Sequence, residues 1–232
     1  MGQKTRTQII TAGLEKAGDT SLSTLAVTWF NAGLRSRLYA GWPWPFLQEP
    51  ITGLVLGAGV TSLTVGAGTN YALEIRRIMD PIWVGDSTYQ TRARARIRTL
   101  TGGSAETHEA LIDPNQGRGT PIQFKARMDR TLWGRWKLIP YPVPDKAYLV
   151  HLDVIVQPAD TTSDSDIPVY PNDETLIKLV EHAALEYMHG SNSPEAQAAL
   201  DQLTSMVIGD RGRYGEVPGT NDVIELDENI FL

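Results

Sequence analysis

The sequence predicts an α+β chain. A helical bundle is formed by its N- and C-terminal helices, an antiparallel β sandwich or barrel-like domain is inserted between them, and an extended C-terminal tail follows. Three observations carry this expectation. Residues 4–39 and 174–208 place apolar side chains at helical spacing. Residues 50–157 contain no helical period, only short runs broken by Gly- and Pro-bearing turns. Between the two regimes lies Trp29–Glu49, WFNAGLRSRLYAGWPWPFLQE, where the pattern changes.

The first helix is expected over residues 4–17, with Ile9, Ile10, Ala12, Gly13, Leu14 and Ala17 near one face and Gly18-Asp19 as its stop. Ser21 or Ser23 is expected to cap a second helix, Thr24–Tyr39, with Leu25, Trp29, Ala32, Leu34 and Leu38 available for burial. So short a link predicts an antiparallel pair. Gly41, Pro43 and Pro45 then end helix formation, because proline fixes φ and lacks an N–H. Trp42, Trp44 and Phe46 stand on alternate positions, which in an extended segment point to one side. These three are expected to be buried at the junction of bundle and insert.

The β region begins with ITGLVL and turns at Gly57-Ala58-Gly59 and Gly66-Ala67-Gly68. Further strands are expected at Ala72–Met79 and Trp83–Gly85, flanking Asp80-Pro81, and at Thr91–Leu100, which alternates strictly. Thr120–Arg127, Leu132–Ile139 and Tyr148–Val156 complete the set. A polar linker, PADTTSDSDIPVYPND, leads to a helix over Glu174–His189 with Leu176, Leu179, Val180, Ala183, Ala184 and Tyr187 as its apolar stripe. Gly190 stops it. Ser193-Pro194 opens a last helix, Glu195–Ile208, with proline at its first position. The expected organisation is 1–49 helical hairpin, 50–157 inserted β domain, 158–208 linker and C-terminal helices, and 209–232 extended arm.

Composition narrows the function. The chain has 232 residues, 41% of them hydrophobic, and no apolar run long enough to span a bilayer, so no membrane partner is expected. Its start, MGQKTRTQII, carries no apolar signal core. There is no cysteine, which removes disulfides, thiolate metal sites and cysteine nucleophiles. The net charge of −6 conceals a polarity. Residues 51–137 carry twelve Lys/Arg against seven Asp/Glu, whereas 138–232 carry four against seventeen. Such asymmetry points to complementary contacts.

The chemical motifs are few. Arg92, Arg94, Arg96 and Arg98 fall on one face of a strand, as a phosphate-tracking stripe would. Ala93, Ala95 and Ile97 offer no base-stacking rings, so a solvated or inter-subunit face is the better reading. Glu186-Tyr-Met-His189, with His182 one turn earlier, has the spacing of a bundle metal site, but no second motif exists on another helix. Asp160, Asp164, Asp166, Asp173 and Glu174 make an oxygen-rich loop that fails the EF-hand pattern, and Asp173 is expected to cap the following helix. No Walker A, dinucleotide or G-x-S-x-G motif occurs. No cofactor and no catalytic or metal-binding residue is assigned.

Three stretches resemble the head-to-tail adaptor (connector) proteins of tailed bacteriophages. They are QIITAGLEKAGD with the helix ending in LYAGWPWPFLQ, then GRWKLIPYPVPDKAYLVHLDVIVQPADTTSDSDIPVYPNDETLIKLVEHAALEYM, and then the short last helix with its tail. The resemblance implies a structural, non-enzymatic protein of the virion neck, assembled in the host cytoplasm. It implies a homo-oligomeric ring, usually of twelve copies, beneath the portal protein. The ring extends the channel for double-stranded DNA, which is not bound sequence-specifically, and presents a platform to a tail or nozzle protein. On this reading Arg92, Arg94, Arg96 and Arg98 are an inter-subunit contact. Val223, Ile224, Leu226, Ile230, Phe231 and Leu232 of the arm then engage the portal. The alternative is a β-sandwich tail module binding carbohydrate or a host surface through Trp83, Trp133 and Trp136. A metal-dependent hydrolase around His182, Glu186 and His189 is the third reading.

Overall fold

A computed structural model describes residues 3–40, 42–66, 68–69, 73–86, 92–98, 117–128 and 134–215. The chain forms two units, one from residues 1–46 and 159–232, the other from residues 47–158. Among the described residues the first contains four α-helices. α1 spans Arg6–Ala17 and opens with a capping box, in which the Thr5 N–H donates to Gln8 Oε1 at 2.9 Å and the Gln8 N–H donates to Thr5 Oγ1. Gly18 ends it at φ 87°, a conformation that costs glycine little.

The second helix differs from the expectation at both ends. Asp19, not Ser21 or Ser23, supplies the cap, by accepting the Ser21 N–H at 2.9 Å at the head of a 3₁₀ turn, Thr20–Leu22. α2 then runs Ser23–Gly33 and widens into a π turn, Leu34–Leu38, where the Tyr39 N–H reaches back to Leu34 O. Its buried face is also rotated. Ala26, Phe30, Gly33, Leu34 and Leu38 are buried, whereas Leu25 and Ala32 are exposed and Trp29 is half-buried. That face combines large hydrophobics with Ala26 and Gly33, which allow close approach.

α3 spans Asp173–His189 and α4 spans Pro194–Tyr214. α1, α2 and α4 all pack on α3. Two glycines set the spacing. A Cβ on Gly13 would lie 2.6 Å from Val180 Cβ and 2.9 Å from Ile177 O, and one on Gly33 would lie 2.8 Å from Leu179 Cδ1. Leu176, Leu179, Val180 and Ala184 are buried as the apolar stripe predicts, but Tyr187 is 60% exposed and rests on Trp29. The N-cap of α3 is Asn172, whose Oδ1 accepts the Glu174 N–H at 3.1 Å, so Asp173 does not cap it. Ser193 caps α4 with Pro194 in the first turn, as expected. α4 does not stop at Ile208. It continues through Gly209 and Gly212 to Tyr214, because a buried Asp210 anchors its last turns.

The second unit carries eight strands among the described residues: β1 Gln48–Leu56, β2 Leu63–Gly66, β3 Glu74–Ile78, β4 Ile82–Gly85, β5 Arg92–Arg98, β6 Gln123–Met128, β7 Arg135–Tyr141 and β8 Tyr148–Gln157. They follow the order β1-β8-β4-β5-β6-β7-β2, with β3 also on β8. Alternate residues of β8 (Tyr148, Val150, Leu152, Val154 and Val156) enter a core with Ile51, Leu54, Ile82, Val84, Ala95, Phe124 and Leu138.

Two expectations need correction here. Among the described residues the path ends on β1 and β2, without closing into a barrel. Nor is every pair antiparallel: β5 pairs with β4 antiparallel through Arg92–Ala95 and with β6 parallel through Arg96–Arg98. Residues 99–122 separate β5 from β6, more than the roughly dozen residues a parallel crossover requires.

Candidate functional site

The acidic linker is held by the N-terminal helices. Arg6, in the first turn of α1, is 6% exposed. Its Nη1 donates to Thr161 O at 3.0 Å, its Nη2 pairs with Asp164, and its backbone N–H donates to Asp166 O at 2.7 Å. From α2, Asn31 exchanges hydrogen bonds with Thr161, and from the π turn Arg35 Nε donates to Asp160 at 2.7 Å. Lys4 and Lys16 flank Glu174, and the Lys4 N–H donates to Asp173 Oδ2. The Arg6 guanidinium holds the Asp164 carboxyl below its ordinary range, and the Ser163 and Thr162 N–H groups do the same for Asp166. The oxygen-rich loop of the sequence is thus a set of ion pairs and turns.

The aromatic turn organises the other end of this unit. Pro45–Leu47 closes a 3₁₀ turn, so the segment is not fully extended. Trp44 is fully buried, donates its indole N–H to Leu38 O at 2.6 Å, and stacks on Phe46 at 5.3 Å. Both rings meet the edge of Tyr170, at 5.4 and 5.8 Å. Trp42 has a different partner, the Arg211 guanidinium, 5.2 Å above its ring.

Tyr170 leads to a group that the sequence reading missed. Asp210 is 2% exposed and accepts from Tyr170 Oη at 3.0 Å, Asn172 Nδ2 at 2.6 Å and Thr175 Oγ1 at 2.6 Å. Burial and then the Asp210 charge push the Tyr170 phenol far above its ordinary value. A signal existed. Ala196, Ala199, Leu203, Val207 and Asp210 share one helical stripe, and a carboxylate on such a stripe needs buried donors.

Glu186 of the E-x-x-H motif and His182 one turn earlier face a cation of the protein itself. Arg37, in the π turn, lies 3.2 Å from His182 Nδ1 and 3.7 Å from Glu186 Oε2. A guanidinium only donates, so Nδ1 is the acceptor and the ring is neutral. Burial and then Arg37 push the His182 pKa down, against a smaller pull from Glu186. His189 is exposed. Among the described residues no group of three or more His, Asp or Glu is placed to hold a metal ion.

In the second unit, Arg92, Arg94, Arg96 and Arg98 lie on β5. Arg94 is exposed and Ala95 buried, the alternation expected of this strand. The Arg94 guanidinium covers the Trp83 ring at 4.8 Å, and the two residues are cross-strand partners. Trp136 donates its indole N–H to Ile75 O at 2.8 Å. Trp133 lies outside the described residues, as do Val223, Ile224, Leu226, Ile230, Phe231 and Leu232 of the arm.

None of these constellations joins a nucleophile to a base or gathers ligands for a metal. They are cation–carboxylate clamps, buried polar anchors and a cation-topped aromatic on a sheet. No helix among the described residues is long and apolar enough to cross a membrane. A search of the curated proteins finds no match. The model of the SU10 adaptor protein family matches residues 4–221, across both units. The chain therefore belongs to the SU10 adaptor protein family, a family of phage head-to-tail adaptors.

Proposed function

We propose that this chain is the structural head-to-tail adaptor of a tailed phage, and that its copies form a ring beneath the portal. The ring extends the DNA channel and gives the tail its attachment platform. The observation that carries this reading is the family match over residues 4–221, which takes in the helices, the sheet and the linker alike. The four helices act as the bundle that builds the ring, and the sheet unit contacts neighbours. The reading also gives the charge polarity a purpose. A head-to-tail contact repeated around a ring needs two different, complementary surfaces. The basic middle of one copy and the acidic C-terminal part of the next meet that need. Twelve copies is the expected number.

The carbohydrate-binding alternative is less well supported. A sugar platform needs bare ring faces, whereas Arg94 lies over Trp83 and Trp136 is anchored by its N–H to Ile75. Native mass measurement of the full chain, alone and with its cognate portal protein, tests the proposal. A ring, or a stoichiometric complex with the portal, is expected. A chain that stays monomeric and never engages the portal would refute it.

A further inference from the structure

α2 carries two unlike surfaces on opposite sides. One is an apolar ridge. Leu25 is 42% exposed, Trp29 one turn on is half-buried, and the exposed Tyr187 of α3 rests on the Trp29 ring, with centroids 5.0 Å apart. The other is a groove of about 440 Å³, lined from α1 and α2 and by Asp164 of the linker. Ile10 and Val27 are its apolar lining, and Thr7, Thr11, Ser23 and Thr24 bring hydroxyls to it. An α-helix turns about 100° per residue, so residues two apart stand roughly 160° from one another around its axis. Leu25 is therefore opposite Ser23 and Val27, and Trp29 is opposite Val27.

Large apolar side chains grouped on a surface mark a contact, and Trp and Tyr are enriched among the residues that carry its energy. Each joins an apolar body to a polar tip. The groove offers the counterpart, an apolar lining for the rings and hydroxyls for the indole N–H and the phenol. We propose that the Leu25–Trp29–Tyr187 ridge of one copy seats in the groove lined by Thr7, Thr11, Ser23 and Thr24 of the next. The occupant is a second copy because both halves of the contact belong to this chain and face away from each other, so a copy cannot fill its own groove with its own ridge. A contact between two different patches passes head-to-tail from copy to copy, as a ring requires. A phosphate backbone is the poorer occupant. The ridge residues carry no cation, and the exposed charge of the groove is the Asp164 carboxylate, whose side chain is 84% exposed while its Arg6 partner is buried. The inference rests on the ring reading and names the surfaces that build it.

The chain has no cysteine, so introduced thiols report alone. Leu25→Cys and Thr11→Cys alter exposed positions, one on each surface. The full-length variants are produced singly, co-expressed, and combined in one chain, then treated with a short bismaleimide. Co-expressed single variants should give a covalent dimer in at least about ten-fold greater yield than either alone, and the combined chain should give a ladder of covalent oligomers. Tyr187→Ala should lower the co-expressed yield about ten-fold, the scale of one aromatic anchor, with the helical circular dichroism unchanged. Native mass of the unaltered chain is measured alongside. Self-cross-linking of either single variant at the level of the pair would mean a symmetric contact and overturn the proposal. A yield indifferent to Tyr187→Ala would overturn it too. A ring by native mass without cross-links between the two positions would overturn it and leave the ring reading standing, whereas a chain that stays monomeric would overturn both.

Discussion

Asp210→Ala should be the most damaging polar substitution in the helical unit. The carboxylate accepts three hydrogen bonds, and two of the donors, Tyr170 Oη and Thr175 Oγ1, belong to fully buried residues. Deleting the acceptor leaves two buried hydroxyls unpaired, at about 1–3 kcal/mol each, while half-buried Asn172 can turn to water. Alanine returns only about 0.5 kcal/mol through helix propensity. A net loss of roughly 2–5 kcal/mol follows. Asp210→Asn keeps the shape but places an NH₂ against donors, and should lose roughly 1–2 kcal/mol; Tyr170→Phe should lose a similar amount. Urea unfolding followed by circular dichroism at the helical band measures all three at neutral pH. A cycle combining Tyr170→Phe with Asp210→Ala should show clear coupling, because the second change removes what the first would break. An Asp210→Ala loss below about 1 kcal/mol, or strict additivity with Tyr170→Phe, would refute the anchor and with it the reason given for α4 continuing past Gly209.

Other outcomes follow from the same geometry. Gly13→Ala meets Val180 Cβ and Ile177 O, neither of them a flexible end, and should lose about 1–2 kcal/mol despite the better helix propensity of alanine; Gly33→Ala meets Cδ1, Cδ2 and Cγ of the buried Leu179, a side chain that can shift where backbone cannot, and should lose less than Gly13→Ala. Equal losses in thermal or urea melts would show that the α1–α3 approach is not limited by that contact. His182 has a folded-state pKa below its ordinary value of 6.5, so the unfolded chain takes up its proton first as pH falls. Its contribution is complete above about pH 6.5 and diminishes below it; His182→Gln should flatten that limb of the stability profile, and an unchanged profile would remove His182 as its source.

Much of the secondary structure was legible because local rules suffice for it. Gly18, Gly190 and Ser193-Pro194 punctuate helices by backbone chemistry that depends on few neighbours. The alternation of Tyr148–Gln157 matches its burial because one face of the strand is the core. The errors arose where a partner decides. The face of α2 turned toward Phe30 and Gly33 because α3 needed a close approach, which hydrophobic periodicity cannot report. Gly209 read as a stop, because the value of Asp210 lies in donors some forty residues away in sequence. The acidic linker read only as an oxygen-rich loop that fails the EF-hand pattern, because the clamps from Arg6, Asn31 and Arg35 come from the far end of the chain.

The sequence by itself determined the α+β class, the position of the aromatic turn, the basic middle and acidic end, and the resemblance that the family match bears out. These rest on patterns within a few residues or on composition. Tertiary structure decided the rest: which face of each helix is buried, that β5 pairs parallel with β6, that Arg37 neutralises the His182–Glu186 motif, and that Asp210 closes the end of α4. The physical reason is common to all four. Each depends on a donor, a cation or a small residue brought near by the fold, and a burial cost is offset only once that partner has arrived.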